Sequence, residues 1–383
     1  MCSMESVESS LGKDCWQKGV ELPRLSVFLG GQMDITYIVK ITSNCNMGCS
    51  YCYYRNNKPE AETGRMSFET VDVLIDSVLE NNNEGAQFIW HGGEPLLMGI
   101  DFFEHIVSRQ KEKLAALGKE LPILNCVQTN GTLLNEAWID FFERNEFGVS
   151  ISLDGFYELH SGNRGTSKKV FDKTLGGVKL LSERGMPFSV LTVVTDATIG
   201  NEELIFDFFD DCEITSFGFL PMNYGNLEDC ISAEKYGDFL CTFFDLWVAK
   251  GKTDVKVREF DEFLRGYLGQ PLLLCEHCNN CHLYYTVEPD GLVYPCDCFP
   301  AKDDVCFGSV YTPIADILDA GLRLFTRANR TPAECERCEF LQICNGGCKH
   351  RRWILDNEYR KPEFYCESYK RLYEKMKGSL VGA

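Results

Sequence analysis

The chain has 383 residues, 44% of them hydrophobic and 25% charged, as in a globular protein with length for one large domain or several ordinary ones. Acidic residues outnumber basic ones by 57 to 38, and the resulting net charge of −19 argues against binding to nucleic acid or to an anionic membrane. We find no signal peptide and no apolar run near the roughly 20 residues of a membrane helix. We therefore expect a cytoplasmic protein whose 20 cysteines favour metal binding over disulfides.

Six short apolar runs separated by helix-length segments predict the strands of a parallel sheet. They are rich in β-branched and aromatic residues, as strands buried on both faces are, and cover 36–42, 86–91, 122–128, 148–154, 188–194 and 214–221. Strand and helix alternate with right-handed crossovers in such a sheet, and six units are fewer than the eight of a complete barrel. The predicted fold class is α/β, a partial (β/α)6 barrel with functional loops at the carboxyl ends of its strands.

After the sixth strand the pattern changes. Residues 232–251 and 255–269 read as amphipathic helices, and a loop-rich region with eleven cysteines and a hairpin at 284–296 follows. This region has too few apolar runs for a sizeable core, so we expect bound metal to hold it together. The expected units are an N-terminal segment of unknown role, a partial barrel, a helical linker and a cysteine-rich domain, at 1–33, 34–231, 232–274 and 275–383.

Three cysteines, Cys45, Cys49 and Cys52, lie in the loop after the first predicted strand. A structural zinc site needs a fourth ligand, and no His or Cys follows closely. Three thiolates on a four-iron cluster leave one iron open to a ligand that the protein does not supply. The spacing therefore favours an iron–sulfur cluster with an open coordination position.

Three further motifs follow later strands: HGGEP at 91–95, QTNGT at 128–132 and SLDG at 152–155. With the three-cysteine loop, they resemble the radical SAM superfamily, whose glycine-rich segment offers backbone groups to S-adenosyl-L-methionine (SAM), because only glycine lets a backbone come so close to a ligand. The segment ELHSGNR also resembles these enzymes, and its arginine is implied to pair with the SAM carboxylate, with a surface salt bridge as the alternative. The SAM-binding residues that the resemblance implies are Tyr51, Gly92, Gly93, Glu94, Asn130, Ser152, Asp154 and Arg164.

Eight cysteines of the tail suit two more four-iron clusters at four thiolates each, although four of them, taken alone, also suit a zinc ribbon. Their spacing resembles the SPASM extension of radical SAM peptide maturases, most closely the anaerobic sulfatase-maturating enzymes, and the resemblance runs from about residue 36 to residue 370. It implies auxiliary cluster one on Cys275, Cys281, Cys296 and Cys348. It implies auxiliary cluster two on Cys335, Cys338, Cys344 and Cys366. Cys278, Cys298 and Cys306 are predicted to be neighbours of cluster one and not ligands.

Asp297 directly follows one of these predicted ligands. In the sulfatase maturases that the sequence resembles, the matching aspartate is the general base that deprotonates the substrate. A solvated turn residue is the ordinary alternative for an aspartate at such a position. A carboxylate fixed beside a cluster and within reach of a radical centre is suited to accept the proton lost on oxidation.

The resemblance implies an oxygen-sensitive oxidoreductase that uses SAM and three 4Fe-4S clusters, with flavodoxin or ferredoxin as electron donor. It would take a hydrogen atom from a side chain of a peptide or protein substrate and complete a two-electron oxidation. His91 and Leu96 flank GGEP where sulfatase maturases carry glutamine and threonine, and they favour a cross-link in a ribosomally synthesised peptide. Formylglycine formation from cysteine or serine is the alternative, and a non-catalytic zinc-stabilised binding protein is a remote one.

Overall fold

The computed structural model describes residues 35–56, 64–222, 230–252, 254–299 and 305–381. The predicted N-terminal segment, 1–33, lies outside the described residues. None of the described helices combines the length and the apolar composition that a membrane span requires.

One ten-stranded sheet forms the centre of the described chain. Its strands are β1 Ile35–Thr42, β2 Ala86–Gly92, β3 Ile123–Thr129, β4 Gly148–Ser152, β5 Phe188–Val194, β6 Ser216–Pro221, β7 Lys256–Val257, β8 Tyr284–Val287, β9 Leu292–Tyr294 and β10 Gly308–Ser309. The strand order is β10-β9-β8-β1-β2-β3-β4-β5-β6-β7. In the part of the sheet that runs from β8 to β7, every strand is parallel to its neighbours. The parallel α/β core is confirmed, and each predicted strand begins and ends within two residues of an observed one.

Helices cover both the barrel crossovers and the tail. They are Tyr53–Asn56, Phe68–Asn81, Ile100–Leu117, Glu136–Arg144, Tyr157–Arg164, Lys168–Glu183, Glu202–Asp211, Ala233–Lys250, Arg258–Tyr267, Cys275–Cys278, Ile314–Ala328, Leu341–Cys344, Lys349–Leu355 and Cys366–Val381, with 3-10 turns at Pro95–Met98 and Cys281–Leu283. The first crossover helix shows why they form: its cap residue Ser67 accepts a hydrogen bond from the Thr70 amide at 3.0 Å, and Val71, Leu74 and Ile75 are buried.

The second half of the predicted linker contains a strand that the sequence reading missed. A helix was expected over 255–269, but the helix begins at Arg258, and β7 before it pairs with the edge of β6. The Lys256 amide donates to the Thr215 carbonyl at 2.7 Å. Two residues are too short a run for alternation to be visible in a sequence.

The hairpin of the cysteine-rich region joins the barrel sheet. Strand β8 pairs in parallel with β1, from Thr36 opposite Tyr284 to Val39 opposite Val287. The Tyr37 and Tyr285 rings stack with their centroids 6.1 Å apart. The sheet therefore continues from the barrel into the tail and places the residues after β9 beside the loop that follows β1.

The last helix, Cys366–Val381, fastens the tail to the barrel from the other side. It lies along the helix Ala233–Lys250, where Ser368 donates to the Ala233 carbonyl and the Tyr236 ring contacts the Tyr365 ring at 5.2 Å. The tail is thus attached to the barrel both through the extended sheet and through this helix pair.

Candidate active site

The glycine-rich motif lies directly on the loop that carries the first three cysteines. The Gly93 amide donates to the Thr42 carbonyl at 2.7 Å, and the Glu94 amide donates to the Asn44 carbonyl at 2.8 Å. A Cβ on Gly92 would lie 2.1 Å from the Thr42 oxygen, and one on Gly93 would lie 2.2 Å from the Asn44 oxygen. Only glycine fits at these positions, so the two loops form one rigid cradle at the ends of β1 and β2.

The Gly93→Ala variant is expected to bind SAM at least about tenfold more weakly, because the new methyl group must displace the backbone before Cys45 and such strain costs about 1–3 kcal/mol. Equilibrium dialysis of the reconstituted enzyme with labelled SAM measures the affinity. Gly176→Ala is the matched control, since a Cβ there meets no atom within 4 Å. Equal affinity in Gly93→Ala and in the control would place SAM away from this cradle.

The Glu94 side chain joins its own loop to the end of β3. It is fully buried and accepts hydrogen bonds from the Leu96 amide at 3.1 Å, the Thr129 hydroxyl at 2.7 Å and the Asn130 amide at 2.8 Å. Burial raises the pKa of Glu94 to about 7, although these donors oppose the shift. The carboxylate therefore accepts its hydrogen bonds from the protein itself. A ligand at this motif would contact backbone groups and not the Glu94 side chain.

Asn130 and Ser152 lie at the ends of the next two strands. The Asn130 side-chain amide donates to the Asn46 side chain at 2.8 Å and lies 3.9 Å from the Cys45 sulfur. The Ser152 hydroxyl accepts from Gln128 at 2.9 Å. Both residues border the cysteine loop or the adjoining strand end, as expected for loops at the carboxyl edge of a parallel sheet.

Tyr51, Asp154 and Arg164 form one buried group. The Tyr51 hydroxyl donates to Asp154 Oδ2 at 2.6 Å, and Arg164 binds both carboxylate oxygens of Asp154, at 2.8 and 3.1 Å. The Arg164 guanidinium also lies 5.4 Å from the centre of the Tyr51 ring. Within the described chain Arg164 is paired with Asp154, and its contact with the SAM carboxylate stays a prediction.

Asp297 lies in a buried charged network that the sequence reading missed. Lys40, on β1, places its ammonium 2.8 Å from Asp297 Oδ1 and 3.5 Å from Glu288 Oε1, and the Tyr53 hydroxyl donates to Asp297. The Tyr54 hydroxyl donates to Glu288 at 2.9 Å. Two features of the sequence could have indicated this network: a lysine inside an otherwise apolar strand, and two tyrosines directly after Cys52. A buried charge requires a partner, so the lysine alone implies a buried acceptor.

Burial alone would raise the pKa of Asp297, but Lys40, His91 and the Tyr53 hydrogen bond outweigh it and lower the pKa to about 2. His91 is the register partner of Lys40 on the neighbouring strand. Its Nδ1 accepts from the Gly92 amide at 2.6 Å, and burial lowers its pKa, so the ring is neutral with its proton on Nε2. An ionised carboxylate is thus fixed among donors at the mouth of the barrel.

The thiols predicted for auxiliary cluster one are mutual neighbours. Burial raises the pKa of Cys348 to about 12; Arg351 opposes this shift, while the adjacent Cys298 and Cys281 thiols add to it. Cys296 and Cys298 are hydrogen-bonded through their sulfurs, within the turn closed by the Phe299 amide and the Cys296 carbonyl at 3.1 Å. Cys298 therefore lies among the predicted ligands, and its role as a neighbour stays a prediction.

The four thiols predicted for auxiliary cluster two line one cavity. Besides Cys335, Cys338, Cys344 and Cys366, its wall includes Phe340, Tyr369 and Tyr373. The 18 described cysteines are all free thiols. Within the described residues, no three His, Cys, Asp or Glu side chains converge on a point as a single metal ion requires. A four-iron cluster binds each thiolate through a different iron, so a cavity ringed by four thiols fits such a cluster.

Comparison with known proteins agrees with this geometry. The family model of the radical SAM superfamily matches residues 39–208. A cysteine-type anaerobic sulfatase-maturating enzyme of Clostridium perfringens is 30% identical over 349 residues, which cover 87% of this chain and 93% of that protein. A serine-type anaerobic sulfatase-maturating enzyme of Bacteroides thetaiotaomicron is 30% identical over 339 residues, which cover 81% of each chain.

Solved structures give the same result. The structure named as native anSMEcpe with bound AdoMet and Cp18Cys peptide superposes with a TM-score of 0.81 at 27% identity and covers 91% of this chain and 98% of that one. Streptococcus suis SuiB bound to its precursor peptide SuiA superposes with a TM-score of 0.59 at 14% identity, covering 88% and 76%, which shows a shared fold.

The fold and the three-cysteine loop define a radical SAM enzyme that acts on a peptide or protein and uses SAM with a 4Fe-4S cluster. Within that superfamily, the chain belongs to the family of the anaerobic sulfatase-maturating enzymes.

Proposed function

We propose that this protein oxidises a cysteine or serine side chain of a peptide or protein to formylglycine. The observation that supports this proposal most strongly is the similarity to an enzyme named as a cysteine-type sulfatase maturase. The two chains are 30% identical over nearly the full length of both. The cross-link predicted from His91 and Leu96 is not confirmed, and the similarity to sulfatase maturases favours the alternative. Likeness to SuiB concerns the fold alone and gives the cross-link no further support.

Three 4Fe-4S clusters are part of the proposal. Cys45, Cys49 and Cys52 would hold the cluster that binds SAM, and the two cysteine groups of the tail would each hold one more. When bound, SAM and its cluster supply the removal of a hydrogen atom from an unactivated carbon. The ring of four thiols around one cavity supports the second auxiliary site. A flavodoxin or ferredoxin is proposed as electron donor.

Anaerobic iron analysis tests this assignment. After reconstitution with iron and sulfide we expect about twelve irons per chain, four for each cluster. A chain that retains about four irons together with zinc would overturn both auxiliary clusters and would restore the zinc reading of the tail.

Asp297 is proposed to accept the thiol or hydroxyl proton of the substrate while the β-carbon loses its hydrogen atom. Lys40 and Tyr53 hold the carboxylate in one orientation and keep it ionised until substrate arrives. The remaining electron would pass to one of the proposed auxiliary clusters, which completes a two-electron oxidation. For a serine substrate this gives the aldehyde directly; for a cysteine substrate it gives a thioaldehyde, which water hydrolyses to the aldehyde with release of hydrogen sulfide.

The domain division also stays a proposal. We propose a barrel at 34–231, a linker at 232–274 and a cysteine-rich domain at 275–383. The parallel pairing of β8 with β1 joins the last of these to the barrel edge, so the two would act as one body around Asp297.

Anaerobic turnover with matched peptides tests the product. One peptide carries cysteine at the target position, a second carries serine and a third carries alanine. We expect at least one of the first two to gain an aldehyde that reacts with a hydrazine probe, with loss of sulfur from the cysteine peptide. Loss of two hydrogens with sulfur retained in a ring-forming fragment would support the cross-link instead.

A further inference from the structure

A buried ion triad lies in the tail, outside the network around Asp297. Arg351 pairs with Glu276 through Nη2 and with Glu363 through Nε, the latter at 2.8 Å from Oε2. The side chains are 8%, 11% and 1% exposed, respectively, so all three charges are removed from bulk water. Buried ion pairs pay a large desolvation cost and are weak evidence for a purely stabilising role.

Two members of the triad are attached to the predicted ligands of cluster one. Glu276 directly follows Cys275 in the chain. Arg351 lies in the first turn of a helix whose N-cap residue is Cys348. Arg351 is the third residue after Cys348, a spacing that brings two side chains to the same face of a helix. This spacing and the ion pair with Glu276 together place the guanidinium beside two predicted ligands of cluster one.

The third member, Glu363, lies on the side of cluster two. The Cys366 amide donates to the Glu363 carbonyl at 3.1 Å. A Cβ on Gly347 would lie 2.2 Å from Cγ of Glu363, so the carboxylate side chain occupies the space beside the turn between Cys344 and Cys348. That turn links a predicted ligand of cluster two to one of cluster one, and the triad spans the same gap.

Aromatic rings cover the Arg351 guanidinium beside its two carboxylate partners. Its guanidinium lies 5.3 Å from the centre of the Tyr365 ring and 5.7 Å from that of Tyr369. The Tyr369 hydroxyl donates to Glu276 at 3.2 Å and so helps to fix the triad. In such a dry environment a unit charge acts over several ångströms with an energy of a few kcal/mol.

We propose that Arg351 sets the reduction potential of auxiliary cluster one, with Glu276 and Glu363 fixing its position. The proposal rests on the three-cluster assignment made above. A fixed positive charge beside a ligand sulfur stabilises the reduced cluster, which carries one more electron, and so makes cluster one a better acceptor of the substrate electron. Arg351 acts through the cluster and is a positioning residue, not a catalytic one.

Redox titration followed by electron paramagnetic resonance tests this in enzyme whose Cys45, Cys49 and Cys52 are replaced by alanine, so that only auxiliary clusters contribute. The signal of cluster one is the one that Cys348→Ala removes. In Arg351→Met we expect the ratio of oxidised to reduced cluster one at a fixed potential to rise at least about tenfold. For one electron this corresponds to a midpoint potential lower by about 59 mV. Arg351→Lys should restore most of the difference. Arg371→Met, which removes an exposed ion pair with Asp238, is the control and should cause no shift.

Iron content separates the possible failures. Fewer than about twelve irons in the unmodified enzyme refutes the three-cluster assignment itself, independently of Arg351. Full auxiliary iron and an unchanged midpoint in Arg351→Met overturn the proposal. If that variant does not load iron, Arg351→Gln decides, because it keeps hydrogen-bond donors for both carboxylates but removes the charge: the midpoint of cluster one should fall, and an unchanged midpoint overturns the proposal.

Discussion

Replacing Cys45, Cys49 and Cys52 together with alanine is expected to abolish SAM cleavage and to lower the iron content from about twelve to about eight per chain. These three thiols lie on the loop after β1, whereas the eight thiols of the tail are carried by separate elements, so the tail clusters should remain. Chromatography of 5′-deoxyadenosine and an iron assay measure the two effects.

The matched control for the triple variant is Cys212→Ala combined with Cys241→Ala. Cys212 directly follows the helix Glu202–Asp211 and Cys241 lies in the helix Ala233–Lys250; both are half-buried and pack against the apolar core. The control should keep SAM cleavage and all of its iron. SAM cleavage that persists in the triple variant would show that the first cluster is held elsewhere.

Asp297→Asn is expected to bind and cleave SAM normally while forming product about 10²–10⁴ times more slowly, the usual worth of a positioned general base. Asparagine keeps the shape of the side chain and a hydrogen bond to Tyr53, but it has no carboxylate to take the substrate proton. Formylglycine and 5′-deoxyadenosine are quantified in the same reaction, so that uncoupling of the two is visible directly.

Asp290→Asn is the control for this variant, because Asp290 is an exposed aspartate of the same hairpin and caps the Leu292 amide at 3.0 Å. Equal product yields in the two variants would show that Asp297 is an ordinary turn residue and not a general base. A parallel loss of SAM cleavage in Asp297→Asn would instead show that the carboxylate supports SAM binding.

The barrel was predictable because its strands are buried on both faces and read as continuous apolar runs bounded by polar turns. The union of β8 with β1 was not, because pairing between residues about 250 positions apart leaves no local pattern. The same pairing explains why Lys40 and Glu288 were overlooked: their contact exists only after the sheet has joined the two halves of the chain.

The motif glycines were predicted by a local rule, since close backbone contact excludes any side chain. Glu94 and Arg164 show the limit of such reasoning, because the structure commits both side chains to protein partners that the motifs do not name. His91 pointed towards a cross-link only by its departure from a family pattern. One side chain next to the motif cannot define the product, because hydrogen abstraction is common to both reactions.

Formylglycine formation is best tested by turnover with a peptide whose target cysteine carries deuterium at the β-carbon. We expect deuterium to appear in 5′-deoxyadenosine and, in equal amounts, the same peptide to gain an aldehyde and lose its sulfur. Unlabelled 5′-deoxyadenosine with an unchanged cysteine, or labelled 5′-deoxyadenosine with a ring-forming peptide that retains sulfur, would contradict formylglycine formation by this enzyme.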